Sequence, residues 1–500
     1  MQAPSIGISR HFDPQHSSYD AIIIGAGMSG MAASIRLAMF DKKVLLLEKH
    51  SISGGLNSYY KRGKRDFDVG LHALTNFASK GERRKPLTKL LKQLRIPYDA
   101  FELVQQKKSL ISFPETSLEF SNELELLLTQ VEENFPDQID RFSKLLAFIE
   151  SYDEVSLDNP YLAAKEKVRE FITNELLLEM IFCPLLIYGS AWEDDMDFSQ
   201  FVIMFKSIFL EGFGRSRGGV KTVVNQLLQK MEELEVEICF RNGVQEIMTK
   251  NGKIQGVICT RGQVVSAPLL LSCAGYPETM GLVTKEEPTL KSSKIPATGK
   301  MSFTETILMT DKKASDLGQK DHTIIFENKR NQYRYRRPDG LFDNKSAVIC
   351  LPNNFAVDDY DEGVLRVTMM ANYHKWQELK LSSKEEYLAQ KQVVLSESLS
   401  ILQGHIPKLS TSNISFSDVF TPTTVERYTG HFGGCVYGTP DKSRDGKTPI
   451  EGLILIGTDQ GFLGIIGSML SGISMANLYG LMGASSSTAT AQESTVNHEL

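Results

Sequence analysis

The chain has 500 residues, 41% apolar and 23% charged, with a formal net charge of −6. That length exceeds one ordinary domain, so two or more linked lobes are expected. The balance is that of a globular protein, and the weak negative charge gives nucleic acid no general foothold. Six cysteines are scattered with no C-x-x-C pair, which excludes a disulfide framework and a structural zinc site and fits a reducing compartment. Nine histidines show no H-E-x-x-H spacing, so no metal site is expected.

Residues 1–18 read as a flexible lead without the apolar core of a secretory signal. Asp20 to Phe40 then form a strand-turn-helix. Ala21, Ile22, Ile23 and Ile24 are apolar without alternation, as in a parallel strand buried on both faces. Gly25, Gly27 and Gly30 follow at G-x-G-x-x-G spacing. The first glycine permits the tight turn, the second lets a pyrophosphate approach the backbone, and the third lets helix and strand pack closely. The free N–H groups at the helix start favour an anion. Val44 to Leu47 form the next strand, which ends in Glu48, 18 residues after Gly30. An acid there accepts hydrogen bonds from a ribose 2′-OH and repels a 2′-phosphate. This stretch is read as a dinucleotide site.

A loop with Gly54-Gly55 comes next, where backbone runs close to the same cofactor, and then FDVGLHAL with Asp68, Gly70 and His72. The basic cluster Arg83, Arg84, Lys85, Lys89, Lys92 and Arg95 reads as a solvated helix face, with docking to an anionic membrane as the second reading. From Pro86 to Gly212 the chain reads helical, with apolar periods at Leu124–Val131 and Ile139–Ile149. Phe198, Phe201, Phe205 and Phe209 place four rings on one helix face, which is either core or the lining of an apolar substrate channel.

A helix from Val220 to about Glu233, a strand Val236–Phe240, a hairpin turning at Asn251-Gly252 and an apolar run Leu269–Leu271 resume the first lobe. Five strand candidates follow, at Ser302–Met309, Thr323–Glu327, Gln332–Arg336, Ala347–Leu351 and Val364–Met370, and suggest an antiparallel sheet. Ser382 with Glu385, or Ser383 with Glu386, would cap a helix running to Gln403, with Gly404 as its stop. Leu453–Ile456 is a last strand, followed by Gly457, Thr458, Asp459 and a helix start at Gly464 and Gly467. The apolar stretch to Leu481 is broken by Thr458, Asp459, Gln460 and glycines, so no membrane-spanning helix is expected. Residues 483–500 have the composition of a flexible tail.

GAGMSG with Glu48, the Gly54-Gly55 loop, FDVGLHAL, TPTTVERYTG and GTDQGFLGIIGSMLSG together resemble the phytoene desaturase-like flavoproteins. That group includes carotenoid desaturases, carotenoid isomerases and retinol saturases, within the amine-oxidase-like superfamily. The resemblance runs from Tyr19 to Leu481. It implies FAD as the cofactor, and an α/β plus α+β chain with a Rossmann-like FAD-binding domain and an interleaved substrate domain. The expected division is 19–79, 215–282 and 420–482 for FAD, and 80–214 and 283–419 for substrate.

By the family pattern, Gly25, Ala26, Gly27, Met28, Ser29 and Gly30 would hold the pyrophosphate, and Glu48 with Lys49 the adenosine ribose. Gly54, Gly55, Leu56 and Asn57 would run along the flavin, and Val244 would reach the adenine through its backbone. Gly457 and Asp459 would reach the ribityl or phosphate region, with Gly464, Ile465 and Ile466 near the isoalloxazine. Leu56 stands where many members carry a basic residue, and Gln460-Gly461-Phe462-Leu463 where many carry an aromatic and a proline.

The resemblance implies an FAD-dependent oxidoreductase acting on a long apolar polyene by desaturation, saturation or isomerisation. Phe201, Phe205, Arg427 and Tyr428 are the candidates for substrate contact, and no catalytic residue is assigned. An amine oxidase and a non-enzymatic carrier of lipidated partners are the alternatives. A cytoplasmic location is expected, and membrane association and oligomeric state are left open.

Overall fold

The computed structural model describes residues 13–70, 72–285, 287–355 and 361–483. The tail from 484 and the first part of the lead therefore lie outside the described residues. Residues 13–18 are fastened rather than free: Asp13 pairs with Arg261 at 2.8 Å, and the Ser17 carbonyl accepts from the Ser266 N–H at 2.9 Å.

The first lobe is built on a five-stranded parallel sheet. Its order is Leu453–Leu455, Leu270–Ser272, Ala21–Ile24, Val44–Glu48, Glu237–Phe240. Ala21–Ile24 is central and buried throughout, which is why its residues do not alternate. One sheet face is covered by helices Met28–Ala38, Pro86–Leu94, Val220–Glu233 and Gly464–Met475. The other is covered by the antiparallel hairpin Val244–Lys250 and Lys253–Cys259, turning at Asn251-Gly252. Gly464–Leu481 has the length and hydropathy to span a bilayer. Here it serves as a core helix: a Cβ on its Gly472 would lie 2.1 Å from the Ser29 carbonyl oxygen, so only glycine permits that crossing.

The second lobe holds a seven-stranded sheet. Its order is Ile414–Phe420, Ser302–Thr310, Gly363–Ala371, Ser346–Cys350, His322–Asn328, Lys108–Ser112, Ser117–Phe120. All its pairs are antiparallel except His322–Asn328 with Lys108–Ser112. Helices Tyr373–Ser382 and Lys384–His405 contribute to the core on one side. The helices between Leu124 and Leu210 form the other core.

Four expectations change. The region 86–212 is not all helical, because Lys108–Ser112 and Ser117–Phe120 complete the large sheet. Gln332–Arg336 is no strand. Tyr333 and Tyr335 alternate inward as a strand's would, but the Tyr335 carbonyl accepts from the Asp194 N–H and its hydroxyl donates to the Ser190 carbonyl. Gly404 does not stop its helix, which runs to His405, though Ser383 does cap the start by accepting from the Glu386 N–H at 3.1 Å. Finally, Leu87, Leu90, Leu91 and Leu94 pack in the first lobe's core, so that lobe claims a helix assigned by sequence to the substrate domain.

A polar seam joins the lobes. Asp68 pairs with the Arg215 guanidinium and accepts from the Val220 N–H at 2.9 Å. Arg366 Nε donates to Glu305 Oε1 at 2.7 Å, and His72 Nε2 lies 2.9 Å from Thr368 Oγ1 and 3.8 Å from Glu305. Burial, with Arg366 and Arg215 nearby, holds the His72 imidazole well below its ordinary pKa.

Two measurements test this account. Phe205 is fully buried between Phe142, Phe201 and Phe209, with ring centroids 6.3, 5.8 and 5.0 Å away. Phe205→Ala is expected to cost about 3–5 kcal/mol in denaturant titration. His72 stays neutral in the fold while the unfolded chain takes up a proton near pH 6.5. Stability is therefore lost as pH falls below that value, by roughly 1.4 kcal/mol per pH unit until the folded-state pKa is reached. Chemical denaturation of wild type and His72→Gln between pH 7.5 and about 5 checks this; equal slopes would refute it.

Candidate functional site

In an open parallel sheet, ligands bind beyond the carboxyl ends of the strands, where the chain order reverses. Here that edge lies between the central strand and Leu270–Ser272, and the loops leaving all five strands converge on it. Gly25 turns at φ 95°, and a Cβ on Gly30 would lie 2.1 Å from the Gly25 carbonyl oxygen, so both glycines are demanded by the backbone. At Gly27 a Cβ would meet only the Cys273 Sγ, at 3.4 Å. Gly27 is the N-cap of Met28–Ala38 and offers no side chain to it. Among the first donors, the N–H groups of Gly27 and Gly30 and the Ser29 hydroxyl face the Cys273 thiol. Burial pushes that thiol up to about 11 against the pull of these donors. Sequence reasoning passed over Cys273; the signal was its place at the end of a strand adjoining the glycine-rich one.

Glu48 is buried and bridges two loops, accepting from the Ala26 N–H and the His50 N–H, each at 2.7 Å. An ionised carboxylate offers about four acceptor sites, so two remain for a ribose. The Lys49 ammonium is partly desolvated, which lowers its pKa despite nearby Glu48, Glu278 and Glu426, and it lies against Gly430. Gly54 (φ 111°) donates its N–H to the Ala26 carbonyl at 2.8 Å, and a Cβ on Gly55 would lie 3.6 Å from the Gly27 Cα. The two glycine loops thus pack backbone on backbone. Leu56 and Asn57 follow in a half-buried turn, and Val244 opens the hairpin two residues after Asn242, whose N–H donates to the Glu48 carbonyl at 3.1 Å. From the closing segment, Gly457 reaches Ser29, where its Cβ would lie 2.7 Å from Oγ.

Other assignments move. Asp459 is held by the chain itself, accepting from the Tyr276 N–H at 2.6 Å, the Thr439 N–H at 2.9 Å and the Lys442 ammonium at 3.3 Å. Ile465 and Ile466 pack into the first lobe's core, at the start of helix Gly464–Met475. Phe201 and Phe205 line no channel: both are fully buried in the aromatic core of the second lobe. Arg427 and Tyr428 lie exposed on helix Pro422–Thr429, the guanidinium 5.5 Å from the Tyr428 ring, because that amphipathic helix buries Pro422 and Thr423 instead.

A cavity of about 60 Å³ does open between the lobes, beside Gly461 and Phe462 of the closing segment. Its wall includes Ser199, Gln200 and Ile203, the face of Phe198–Phe205 opposite the rings. The sequence carried that signal as the polar positions between the phenylalanines. Val155, Ala191, Trp192 and Met196 add apolar surface. Its charges close on one another. Asp197 pairs with Arg444 at 2.9 Å, Glu154 with Lys206 at 2.7 Å, and Lys442 with Asp459 at 3.3 Å.

These residues fit a dinucleotide. Uncapped helix-start donors and an open Gly27 suit a pyrophosphate, and a buried acid with spare acceptors suits a ribose.

The family described as "Flavin containing amine oxidoreductase" matches residues 28–478. The chain is 26% identical to prolycopene isomerase of Daucus carota over 92% of its own length and 79% of that protein's. It is 23% identical to all-trans-retinol 13,14-reductase of Danio rerio, over 92% and 85%. An oxidoreductase from Methanosarcina mazei has the same fold, with TM-score 0.61 and 14% identity over 91% of this chain and 99% of that one. The chain belongs to the flavin-containing amine oxidoreductase family, and its cofactor is FAD.

Proposed function

We propose that this FAD-dependent oxidoreductase acts on a long, neutral, conjugated substrate of the carotenoid or retinoid class. The observation that carries this reading is the cleft beside Gly461 and Phe462, whose carboxylates are each paired with a cation and whose remaining wall is largely apolar. An ammonium substrate would need a carboxylate free to meet it; a polyene needs apolar walls and a dry path. The two relatives named above are a carotenoid isomerase and a retinol reductase, which supports the same class.

When bound, FAD supplies the hydride chemistry, and the protein supplies position and electrostatics. The glycine loops and Glu48 hold the dinucleotide. The buried seam between the lobes holds the His72 imidazole well below its ordinary pKa. Desaturation, saturation and isomerisation all use this arrangement.

We further propose a reducing, cytoplasmic setting at a lipid surface. All six cysteines are free thiols. Val155, Leu157, Tyr161 and Leu162 are exposed together in one loop, and Val155 and Tyr161 form part of the cleft wall, which gives an apolar substrate a route from a bilayer.

Gly27→Val is expected to abolish flavin absorbance in the purified protein, because the side chain would occupy the space of the pyrophosphate; a full flavin spectrum would refute the site. Glu48→Ala is expected to weaken FAD binding roughly tenfold or more, the scale of a charged hydrogen bond, as read by flavin fluorescence titration. Equal constants would mean that the ribose is held elsewhere.

A further inference from the structure

The cleft between the lobes holds two unsatisfied amide atoms. Gln200 Nε2 and Gln460 Oε1 are both buried, both belong to side chains lining the same cavity, and neither has a hydrogen-bond partner. Gln460 is 3% exposed. Its amide is oriented by its own bond, since Nε2 donates to the Arg444 carbonyl and leaves Oε1 free. The backbone N–H of Gln200 is committed to Asp197, but its side-chain amide is not.

The rest of the cleft's polar groups are spoken for. The Tyr161 hydroxyl donates to the Lys442 carbonyl at 2.7 Å, and the Trp192 indole N–H to the Pro440 carbonyl at 3.1 Å. Ser190 Oγ donates to the Asp195 carbonyl, and Ser199 Oγ lies within hydrogen-bond distance of Asn159 Nδ2. The charges pair as described above.

One ion pair joins the two segments that carry these amides. Asp197 is the N-cap of the helix that carries Gln200, and its carboxylate meets the guanidinium of Arg444 at 2.9 Å. The carbonyl of the same Arg444 holds the Gln460 amide. Arg444 is fixed in turn by the Asn159 carbonyl at 2.6 Å and by the Tyr161 ring, 4.1 Å from the guanidinium carbon. A donor on one lobe and an acceptor on the other therefore belong to the wall of the same cleft. A buried amide without a partner is unfavourable, and such pairs persist where a ligand group completes them.

We propose that this cleft is a hydroxyl-recognition subsite: the substrate is a polyene alcohol whose terminal hydroxyl donates to Gln460 Oε1 and accepts from Gln200 Nε2. A hydroxyl does both through a single atom. A carbonyl would leave Gln460 unpaired, and a bare hydrocarbon would leave both amides so. The inference rests on the polyene reading above and narrows it to substrates with a polar end.

The test uses FAD-loaded full-length protein and two probes, all-trans-retinol and the matched hydrocarbon lacking its hydroxyl. Binding is read from polyene absorbance and quenching of protein fluorescence, independently of turnover. Wild type is expected to bind the alcohol at least about tenfold more tightly than the hydrocarbon. Gln200→Met, which keeps the side-chain length and the backbone cap, is expected to lose about tenfold for the alcohol and nothing for the hydrocarbon. Gln460→Met is expected to do the same, and Gln200→Met decides alone if that variant misfolds. Equal affinity for the two probes in wild type, or equal losses for both in Gln200→Met, overturns the subsite, the first result meaning that water satisfies the amides. If neither probe binds and neither changes the flavin spectrum, the polyene reading itself falls. Binding of both with no hydroxyl preference removes only the subsite.

Discussion

The structure depends on a contact between two stretches of bare backbone. The loop after the first strand and the loop after the second meet where Gly55 and Gly27 pass, with the Gly54 N–H donating to the Ala26 carbonyl. The approach is close without being closed, since a Cβ on Gly55 would lie 3.6 Å from the Gly27 Cα and one on Gly27 would meet only the Cys273 Sγ. The same approach keeps the first helix's N-terminal donors uncapped, since Gly27 has no side chain to offer them. Phosphate affinity here follows from that open start: no side chain caps the helix, and its Gly27 and Gly30 N–H groups face only the weakly accepting Cys273 thiol. Glu48 completes it by accepting from both loops at once.

This part of the molecule was legible in the sequence because it is local. The glycine spacing, the unbroken Ala21–Ile24 run and the acid at the second strand's end lie within about thirty residues, and each has one physical cause. The hairpin at Asn251-Gly252 and the Ser383 cap were legible for the same reason. What escaped depended on partners distant in sequence. Lys108–Ser112 reads as an undistinguished stretch until His322–Asn328 pairs with it from more than two hundred residues away. Tyr333 and Tyr335 alternate like strand residues, yet the Tyr335 carbonyl and hydroxyl are taken by the loop near Ser190. Asp459 carries a motif position, but that the N–H groups of Tyr276 and Thr439 donate to its oxygens is seen only in the fold.

The aromatic stripe shows how a correct period can be given the wrong meaning. Spacings of three and four put Phe198, Phe201, Phe205 and Phe209 on one face, and the structure keeps them there. Four rings on one face carry enough apolar area to demand burial, so this face seeks the core and the opposite face is left for the cleft. The polar positions Ser199 and Gln200 were the informative ones. A helix contributes to a functional cleft most readily through the face that the core does not need.

That division also accounts for the cleft's electrical neutrality. Asp197 caps the aromatic helix by accepting from the Gln200 N–H at 3.3 Å, and a carboxylate beside an apolar cleft is unfavourable unless paired. Arg444 pairs with it, and Arg444 belongs to the segment that leads into the closing strand. A partly buried pair of this kind contributes little net stability, because desolvation offsets much of the attraction. Its effect is geometric. It ties the helix of the second lobe to the segment that ends at Gln460, Gly461 and Phe462, so the wall of the cleft and the approach to the cofactor loops keep one register. Fixing that register across two lobes keeps two amides from distant parts of the chain in the wall of one cleft.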